Sequence, residues 1–244
     1  MGNYHGSFGL HDIGEEQLEY VLESSEHKKL LSELVDLSRN VFGFFNKTAA
    51  RSFEYPYIIN EIGTIAGKKV LDIGAGLSPL PLFLAKSGAS VVTVDNSPVT
   101  RKIGQPHTDW NGWGYLDYGE LNNSLISYNK DIAFVRLAAN SFDCIYSVSV
   151  IEHLPAATRR SIWPVLSEAL IDNGTLLLTI DLVPGTNILW NYCQGDIVDS
   201  FDNHGDVETI KQETSLCSLE LKECRFLRNL AGSPVDIALL KISK

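Results

Sequence analysis

The chain has few of the features that mark secreted and membrane proteins. It contains four cysteines in 244 residues, none in a C-x-x-C pair, and its start has no basic segment followed by an apolar stretch. No run of about 18 apolar residues occurs, so nothing is predicted to span or enter a membrane. We therefore predict reduced thiols, no signal peptide and a cytoplasmic protein.

Positive charge is also scarce. Lys and Arg number 20 against 30 Asp and Glu, which gives a formal net charge of -10. An acidic surface repels a phosphate backbone, so the composition argues against non-specific binding to nucleic acid. No zinc-finger or EF-hand spacing occurs, and no metal is predicted. The apolar share of 44% is enough for one full core with additions around it.

The spacing of apolar residues changes near residue 67. Residues 1–66 predict a helical extension, with leucines three and four apart between charges and a turn at Pro56 before a short helix. Residues 67–244 alternate short strands with helices, as one cofactor-binding domain would. Within it, residues 182–205 form a long irregular connection, predicted as an insertion on the substrate side.

The alternation of strands and helices predicts the α/β class, with a doubly wound, mostly parallel sheet covered by helices on both faces. The last two strands, "ELKECRFLRN" and "VDIALLKIS", are joined only by "LAGSP". A parallel crossover needs a dozen or more residues, so this pair must be an antiparallel β-hairpin. We predict a seven-stranded, Rossmann-like sheet that ends in this hairpin.

The first predicted strand after residue 67 ends in a glycine turn, in "VLDIGAGLSPL". The dinucleotide pattern G-x-G-x-x-G fails because Pro79 stands at its third glycine, and no P-loop lysine is present. What remains is a turn whose Gly74 and Gly76 let a ligand approach the backbone, beside Asp72. That acid favours a ligand carrying a cation. Asp95 ends the next strand, where a carboxylate can accept both ribose hydroxyls, as it also does in NAD enzymes.

Together these segments resemble the class I S-adenosylmethionine-dependent methyltransferases, in their small-molecule branch. The resemblance rests on "VLDIGAGLSPLPLFLAKSGASVVTVDNSP", "KDIAFVRLAANSFDCIYSVSVIEHLP", "GTLLLTID" and the terminal hairpin. It implies S-adenosyl-L-methionine as the cofactor and S-adenosyl-L-homocysteine as the product. It also implies methyl transfer to a hydroxyl or amine of a small-molecule partner, such as a sugar or a secondary metabolite.

The resemblance implies a cofactor site at the carboxyl ends of the strands. The methionine part, the ribose, the adenine and the sulfonium would each meet their own residues. Asp72, Gly74, Ala75 and Gly76 would line the methionine part, and Asp95 and Asn96 would bind the ribose. Asp131 and Ile132 would bind the adenine, and Ser147 and Val148 would lie beside the sulfonium. Each carboxylate also has a purely structural alternative: bonding turn amides for Asp72, capping a helix for Asp95 and closing a loop for Asp131.

A hydroxyl acceptor needs its proton removed, which a histidine or a carboxylate can do. Three residues are candidates for this catalytic role: His153 in "SVIEHLP", His204 in "DSFDNHGD", and Asp181 at the end of the predicted strand "TLLLTID". His153 could instead pack against or cap the following helix. Asp181 could cap the following loop.

Substrate contacts are expected from segments outside the sheet. Arg51 could pair with a carboxylate of the cofactor or the substrate, or form a surface pair with Glu54. The other candidates are aromatic and would stack on a substrate ring, or pack on the core instead. They are Tyr55, Trp113, Trp190 and Tyr192.

Three further functions stay open. An aminopropyl-transferase-like enzyme would place extra acids over its amine, and no clear acidic pair flanks the predicted strand "FDCIYSVSV" in the sequence. A protein methyltransferase would suit the acidic surface if its substrate were basic. A non-catalytic cofactor-binding relative would be expected to lose the acids and glycines of the loop, which this chain retains.

Overall fold

The computed structural model describes residues 10–13, 24–45, 50–102, 114–190, 205–230 and 232–244. Within these ranges, eight strands form a single sheet with the order β1-β7-β8-β6-β5-β2-β3-β4. The strands are β1 Leu10–Ile13, β2 Lys69–Ile73, β3 Ser90–Asp95, β4 Leu125–Asn129, β5 Phe142–Val148, β6 Leu170–Leu182, β7 Glu220–Leu227 and β8 Asp236–Ser243.

Helices cover both faces of this sheet. They are α1 Ser25–Phe42, α2 Arg51–Ile62, α3 Leu80–Lys86, α4 Ala156–Ala169 and α5 Val207–Ser215, with short 3-10 turns at Tyr118–Glu120, Ile132–Phe134 and Ile151–His153. Local chemistry sets several ends. Ser24 caps α1 and Gly43 ends it in a left-handed conformation, while Asp206 and Thr209 form a capping box at α5. Among the described residues, none of the helices has the length and apolar content needed to cross a bilayer.

The strand directions confirm the predicted fold class. Strands β2 to β6 pair in parallel, and β8 lies antiparallel between β6 and β7. The terminal hairpin is therefore present. The central strands are apolar along their length because helices bury them from both sides.

Two apolar layers flank the sheet. One is formed with α1, α2 and α3 and includes Leu34, Ile58 and Leu80; the other is formed with α4 and α5 and includes Trp163 and Ile210. The carboxyl ends of the parallel strands are left between these layers at one edge of the sheet. That edge is where an open parallel sheet binds its ligands.

The N-terminal segment differs from prediction in two places. Residues Leu10–Ile13 are a strand, parallel to β7, so the segment is not wholly helical and the sheet gains an eighth, edge strand. Pro56 does not mark a turn but lies inside α2. The helix tolerates it because α2 is buried on nearly all sides, and tertiary packing outweighs one lost backbone hydrogen bond.

Candidate functional site

A cleft opens at the carboxyl ends of β2 and β5, under the first turns of α2. It is lined by Arg51, Tyr55, Asp72, Gly74, Ala75, Ser78, Tyr146 and Val148. The strands bring Asp72 and Val148 here because parallel neighbours end at the same edge. Helix α2 adds Arg51 and Tyr55 to the same lining.

The glycine turn is shaped by two left-handed residues, Gly74 at φ 75° and Gly76 at φ 50°. A Cβ atom on Gly74 would lie 2.5 Å from Cγ2 of Val150, which is closer than any real contact. The Gly74 N–H donates to the carbonyl of Val94 at 2.7 Å, which ties the turn to the end of β3. Only glycine fits this position, for reasons of both conformation and space.

Tyr118 supports the turn from beneath and was missed by the sequence analysis. Its hydroxyl accepts the Ser78 N–H at 2.8 Å and lies 3.0 Å from the Gly76 carbonyl and 2.8 Å from that of Ser78. The ring is fully buried. No sequence pattern distinguishes this tyrosine from the other aromatics of the segment, since its role depends on a contact across 40 residues.

Asp72 is buried at the floor of the cleft. Its Oδ2 accepts a hydrogen bond from the Tyr146 hydroxyl at 2.7 Å. Burial raises the pKa of Asp72 to about 8; the Tyr146 hydrogen bond opposes this shift, and the charge of Asp95 adds to it. A carboxyl group held in this way gains most from a ligand that brings a positive charge.

Asp95 lies at the end of β3, where it is half-buried. Its Oδ2 accepts the Gly76 N–H at 2.9 Å, and its Oδ1 accepts the Ser97 N–H at 2.7 Å. It therefore takes a structural role in the turn. An ionised carboxylate offers about four acceptor positions, so two remain for other donors. Asn96, beside it, is exposed.

The adenine and sulfonium candidates fall along the same edge. Asp131 caps the turn Ile132–Phe134, with Oδ1 accepting the Ala133 N–H at 2.9 Å, and Ile132 is buried. Ser147 is fully buried and donates to the Ile73 carbonyl at 3.0 Å. Val148 lines the cleft.

Arg51 and Glu54 form a buried pair, not a surface pair. Arg51 is 8% exposed and Glu54 is 0% exposed. One terminal nitrogen of Arg51, Nη1, donates to Glu54 and, at 2.8 Å, to the hydroxyl of Ser149. Nε of Arg51 is buried and has no hydrogen-bond partner among the described residues. The guanidinium thus keeps donor capacity on a side not used by the protein.

A second group of acids lies behind Arg51, at the ends of β5 and β6. The Ser149 hydroxyl is 2.8 Å from Oε1 of Glu54 and 3.0 Å from Oδ1 of Asp181. Thr179 donates to the same Glu54 oxygen at 2.6 Å. Oε1 of Glu152 accepts the backbone N–H of Asp181 at 2.9 Å. The carboxyl groups of Glu54, Asp181 and Glu152 therefore lie near one another, and the first two also lie near the Arg51 guanidinium.

The crowding of these acids changes their titration. Burial raises the pKa of Asp181 to about 6, with the Glu54 charge adding to the shift while Arg51 and the Ser149 hydrogen bond oppose it. The pKa of Glu152 is raised well above its usual range, first by burial and then by the charge of Asp181. Among the described residues, Oε2 of Glu152 is buried without a hydrogen-bond partner. A neutral Glu152 explains why the fold tolerates it there.

The other candidates are dispersed. His153 is exposed on the turn Ile151–His153, while Tyr55 is buried beside Ser78. Trp190 is half-buried, and its backbone N–H donates to the backbone carbonyl of Asp181 at 2.8 Å. Three candidates lie outside the described residues: Trp113, Tyr192 and His204. Within the described ranges, no group of three or more His, Cys, Asp or Glu side chains is arranged to hold a metal ion.

The glycine turn, β3, β5 and most of β6 fall within the match to a family model described as "Methyltransferase domain", which covers residues 71–178. This segment, 108 of the 244 residues, thus matches the methyltransferase family that the sequence resembles. Outside the matched segment lie α1 and α2, which supply Arg51 and Tyr55, and the terminal hairpin.

Curated relatives match about half of the chain. The ubiquinone biosynthesis O-methyltransferase of Pasteurella multocida is 28% identical over 124 residues, which is 50% of each protein. The mitochondrial ubiquinone biosynthesis O-methyltransferase of Schizosaccharomyces pombe is 31% identical over 122 residues, covering 50% of this chain and 41% of that protein. The chain thus matches half or less of the length of these relatives.

Solved structures extend the likeness of the fold beyond the matched segment. The 1,6-didemethyltoxoflavin-N1-methyltransferase of Burkholderia thailandensis, solved with S-adenosylhomocysteine, covers 95% of this chain and 91% of its own at a TM-score of 0.60 and 13% identity. A methyltransferase of Mesorhizobium loti covers 78% of this chain and 97% of its own at a TM-score of 0.53 and 14% identity. At these identities the likeness concerns the fold, which is the one predicted.

Proposed function

We propose that this protein transfers a methyl group from S-adenosylmethionine to a hydroxyl group of a small molecule. The observation that carries the proposal is that Asp72 and Arg51 both line the same cleft beside the glycine turn. The amino-acid end of the cofactor carries an ammonium and a carboxylate. A buried carboxyl and a buried guanidinium across one cleft match that pair of charges.

Three features of the site test whether the residues fit the cofactor. The buried Nε of Arg51, without a partner among the described residues, can donate to a carboxylate. Gly74 and Gly76 leave the backbone of the turn open to a ligand. Asp95 keeps two acceptor positions for ribose hydroxyls. These features support a fit to the carboxylate and the ribose of the cofactor, with an open backbone between them.

When bound, S-adenosylmethionine supplies a methyl group on a sulfonium, which is transferred as the carbon–sulfur bond breaks and leaves its electron pair on sulfur. The chain's own residues would bind the cofactor and orient it. Asp72 would hold the ammonium, with Ala75 beside it, and Arg51 the carboxylate. The ribose and adenine would lie toward Asp95 with Asn96 and toward Asp131 with Ile132, and the sulfonium toward Ser147 with Val148.

A hydroxyl is favoured over an amine for two reasons. The curated relatives in the match are named as O-methyltransferases. The carboxyl group of Asp181, at the end of β6, is also a base of suitable strength for a hydroxyl proton at neutral pH. His153 and His204 remain alternative bases. Tyr55, Trp113, Trp190 and Tyr192 remain predictions for contacts with the acceptor.

Calorimetric titration of the whole chain with S-adenosylmethionine, S-adenosylhomocysteine and NADH tests the proposal. We expect micromolar binding of the first two and none of NADH. A screen for transfer of labelled methyl to alcohols, phenols, amines and a basic peptide then separates hydroxyl transfer from the amine and protein alternatives. Tight binding of NADH with no binding of the other two would overturn the proposal.

The remaining alternatives give different results in the same two experiments. An aminopropyl-transferase-like enzyme would bind the decarboxylated cofactor better than S-adenosylmethionine, because it has no use for the Arg51 guanidinium. A non-catalytic relative would bind the cofactor and methylate nothing. The predictions of a cytoplasmic protein without a nucleic-acid partner remain predictions beside the proposed activity.

A further inference from the structure

The hydroxyl of Ser149 is shared by two acids. It lies 2.8 Å from Oε1 of Glu54 and 3.0 Å from Oδ1 of Asp181, and it accepts a hydrogen bond from Nη1 of Arg51 at 2.8 Å. A hydroxyl has a single proton to donate. Because Arg51 supplies the bond that Ser149 accepts, the Ser149 proton serves one of the two carboxyl groups at a time.

The two acids differ in what else they receive. Glu54 already accepts from Arg51 and, at 2.6 Å, from Thr179. Among the described residues, Ser149 is the one hydrogen-bond donor to the carboxyl group of Asp181. The proton of Ser149 is therefore of more use to Asp181, since an acid with no other donor gains more from it than an acid with two.

The backbone holds this hydroxyl in place. Ser149 has φ 49°, in the left-handed region that a residue other than glycine seldom adopts. Its N–H donates to the carbonyl of Thr179 at 2.9 Å, directly beyond the last pair of β5 with β6. Strain of this kind persists where the surroundings determine the conformation, and it is common at functional sites.

We propose that Asp181 accepts the proton of the acceptor hydroxyl, that Ser149 is a positioning residue that orients its carboxylate, and that Glu54 is a positioning residue that strengthens it as a base. This inference rests on the proposed function. As the acceptor oxygen bonds to the methyl carbon and the carbon–sulfur bond breaks, the hydroxyl proton moves to Asp181. Asp181, which is half-buried, then releases it to water.

Two further observations agree with this role. Glu152 holds the backbone of Asp181 through the bond from its N–H at 2.9 Å, which aligns the residue relative to β5. The pKa of Asp181, raised to about 6 first by burial and then by Glu54, leaves the group ionised at neutral pH and still basic enough to take a proton. The negative charge of Glu54 raises the pKa of Asp181, and the hydrogen bond from Ser149 lowers it.

The test follows the titration of Asp181 in the whole chain with S-adenosylhomocysteine bound, by carbon-13 NMR of the aspartate carboxyl carbons, assigned with Asp181→Asn. Ser149→Ala should raise the pKa of Asp181 by about one unit, because it removes a donor to the charged form. Glu54→Gln should lower it by a similar amount, because it removes a negative neighbour. Ser167→Ala, which removes a hydroxyl that donates to Cys217, should leave it unchanged.

Shifts of opposite sign distinguish a positioning role from a general loss of structure, which would move both variants the same way. With an acceptor from the methyl-transfer screen, the acid limb of the pH–rate profile should move with each pKa. Asp181→Asn should lower kcat by about 100-fold or more while its affinity for S-adenosylhomocysteine is unchanged.

An unmoved titration in both variants, shifts of the same sign, or full activity of Asp181→Asn would overturn the inference. If Glu54→Gln fails to fold, Ser149→Ala alone decides, since no shift or a downward shift contradicts the argument. Failure of the unaltered chain to bind S-adenosylhomocysteine is a separate outcome and would overturn the proposed function instead.

Discussion

The candidate site runs along the carboxyl edge of the sheet, and its two ends are assembled over very different lengths of chain. At the cofactor end, Asp72, Gly74 and Gly76 lie within one short segment, and Asp95 ends the neighbouring strand. At the other end, Glu54 and Asp181 meet at Ser149 across separations of 95 and 32 residues. One end is a local turn; the other is a contact between α2, β5 and β6.

This difference determines what kind of change each end tolerates. The cofactor end depends on backbone conformation, so a single added methyl group disturbs it. The end near Asp181 depends on side-chain hydrogen bonds and charge, so a substitution of nearly equal shape can alter its chemistry while the fold is retained. The predictions below separate these two dependences.

Gly74→Ala should have the largest effect. The left-handed conformation and the contact with Val150 should together cost about 2–4 kcal/mol of stability, and binding of S-adenosylhomocysteine should be lost. Urea unfolding and calorimetry measure both. The matched control is Gly67→Ala, which has φ 82° but no atom within 4 Å of the added Cβ and should cost about 1 kcal/mol. Equal losses in the two variants would mean that close packing at Gly74 is unimportant.

Asp95→Ala tests whether the end of β3 binds the cofactor or only supports the turn. We expect the affinity for S-adenosylhomocysteine to fall by more than about tenfold, because charge-assisted hydrogen bonds worth about 1.5–3 kcal/mol are lost. Asp206→Ala is the control, since Asp206 accepts backbone hydrogen bonds in the same way at the start of α5, away from the cleft. An unchanged affinity in Asp95→Ala would leave the residue with a structural role alone.

Asp72→Asn should have opposite effects on stability and on binding. In the ligand-free protein, the raised pKa means that folded Asp72 keeps a proton which the unfolded chain releases above pH 3.8. The stability from this group is therefore full below about pH 4 and falls as the pH rises to about 8. The asparagine variant should lack this decline and be more stable at pH 8 by on the order of 1–3 kcal/mol, while binding the cofactor weakly.

Thermal unfolding from pH 5 to pH 8, paired with calorimetry, checks both halves of this prediction. Parallel pH profiles in the two proteins would show that Asp72 is not protonated in the folded state. Unchanged affinity in the variant would contradict the assignment of the ammonium to Asp72.

Glu152→Gln should have the smallest effect. Burial raises the pKa of this carboxyl group well above its usual range, which favours the neutral form, and glutamine keeps the oxygen that accepts the Asp181 N–H. Stability at pH 6–7 should therefore change by less than about 0.5 kcal/mol. Glu152→Ala leaves that N–H without its acceptor and should cost about 1–3 kcal/mol. A large loss of stability in the glutamine variant would show that Glu152 is charged.

The parts of the site visible in the sequence are those that depend on residues near each other. The turn could be predicted because Gly74, Gly76 and Asp72 follow one strand directly. Asp95 could be predicted because parallel neighbours end at one edge. Tyr118 could not, because a tyrosine that bonds backbone groups 40 residues away leaves no periodic or spaced pattern.

The pair of Arg51 and Glu54 shows most clearly what could not be predicted from the sequence. Their spacing of three residues on a helix predicts a contact, and the contact is present. The same spacing suits an exposed pair, and only the packing of α2 against the sheet buries it beside Ser149. The turn predicted at Pro56 was wrong for the same reason, because the burial of α2 outweighs the local preference of proline for a turn.

By itself, the sequence determined the alternation of strands and helices, the terminal hairpin, and the acids and glycines of the cofactor end. These features depend on strand periodicity, loop length and turn chemistry, which all act over a few residues. The tertiary structure decided the eighth strand, the support of the turn by Tyr118 and the meeting of Glu54, Ser149 and Asp181. Those features arise from contacts between distant elements, whose energies depend on burial that no single segment of the chain encodes.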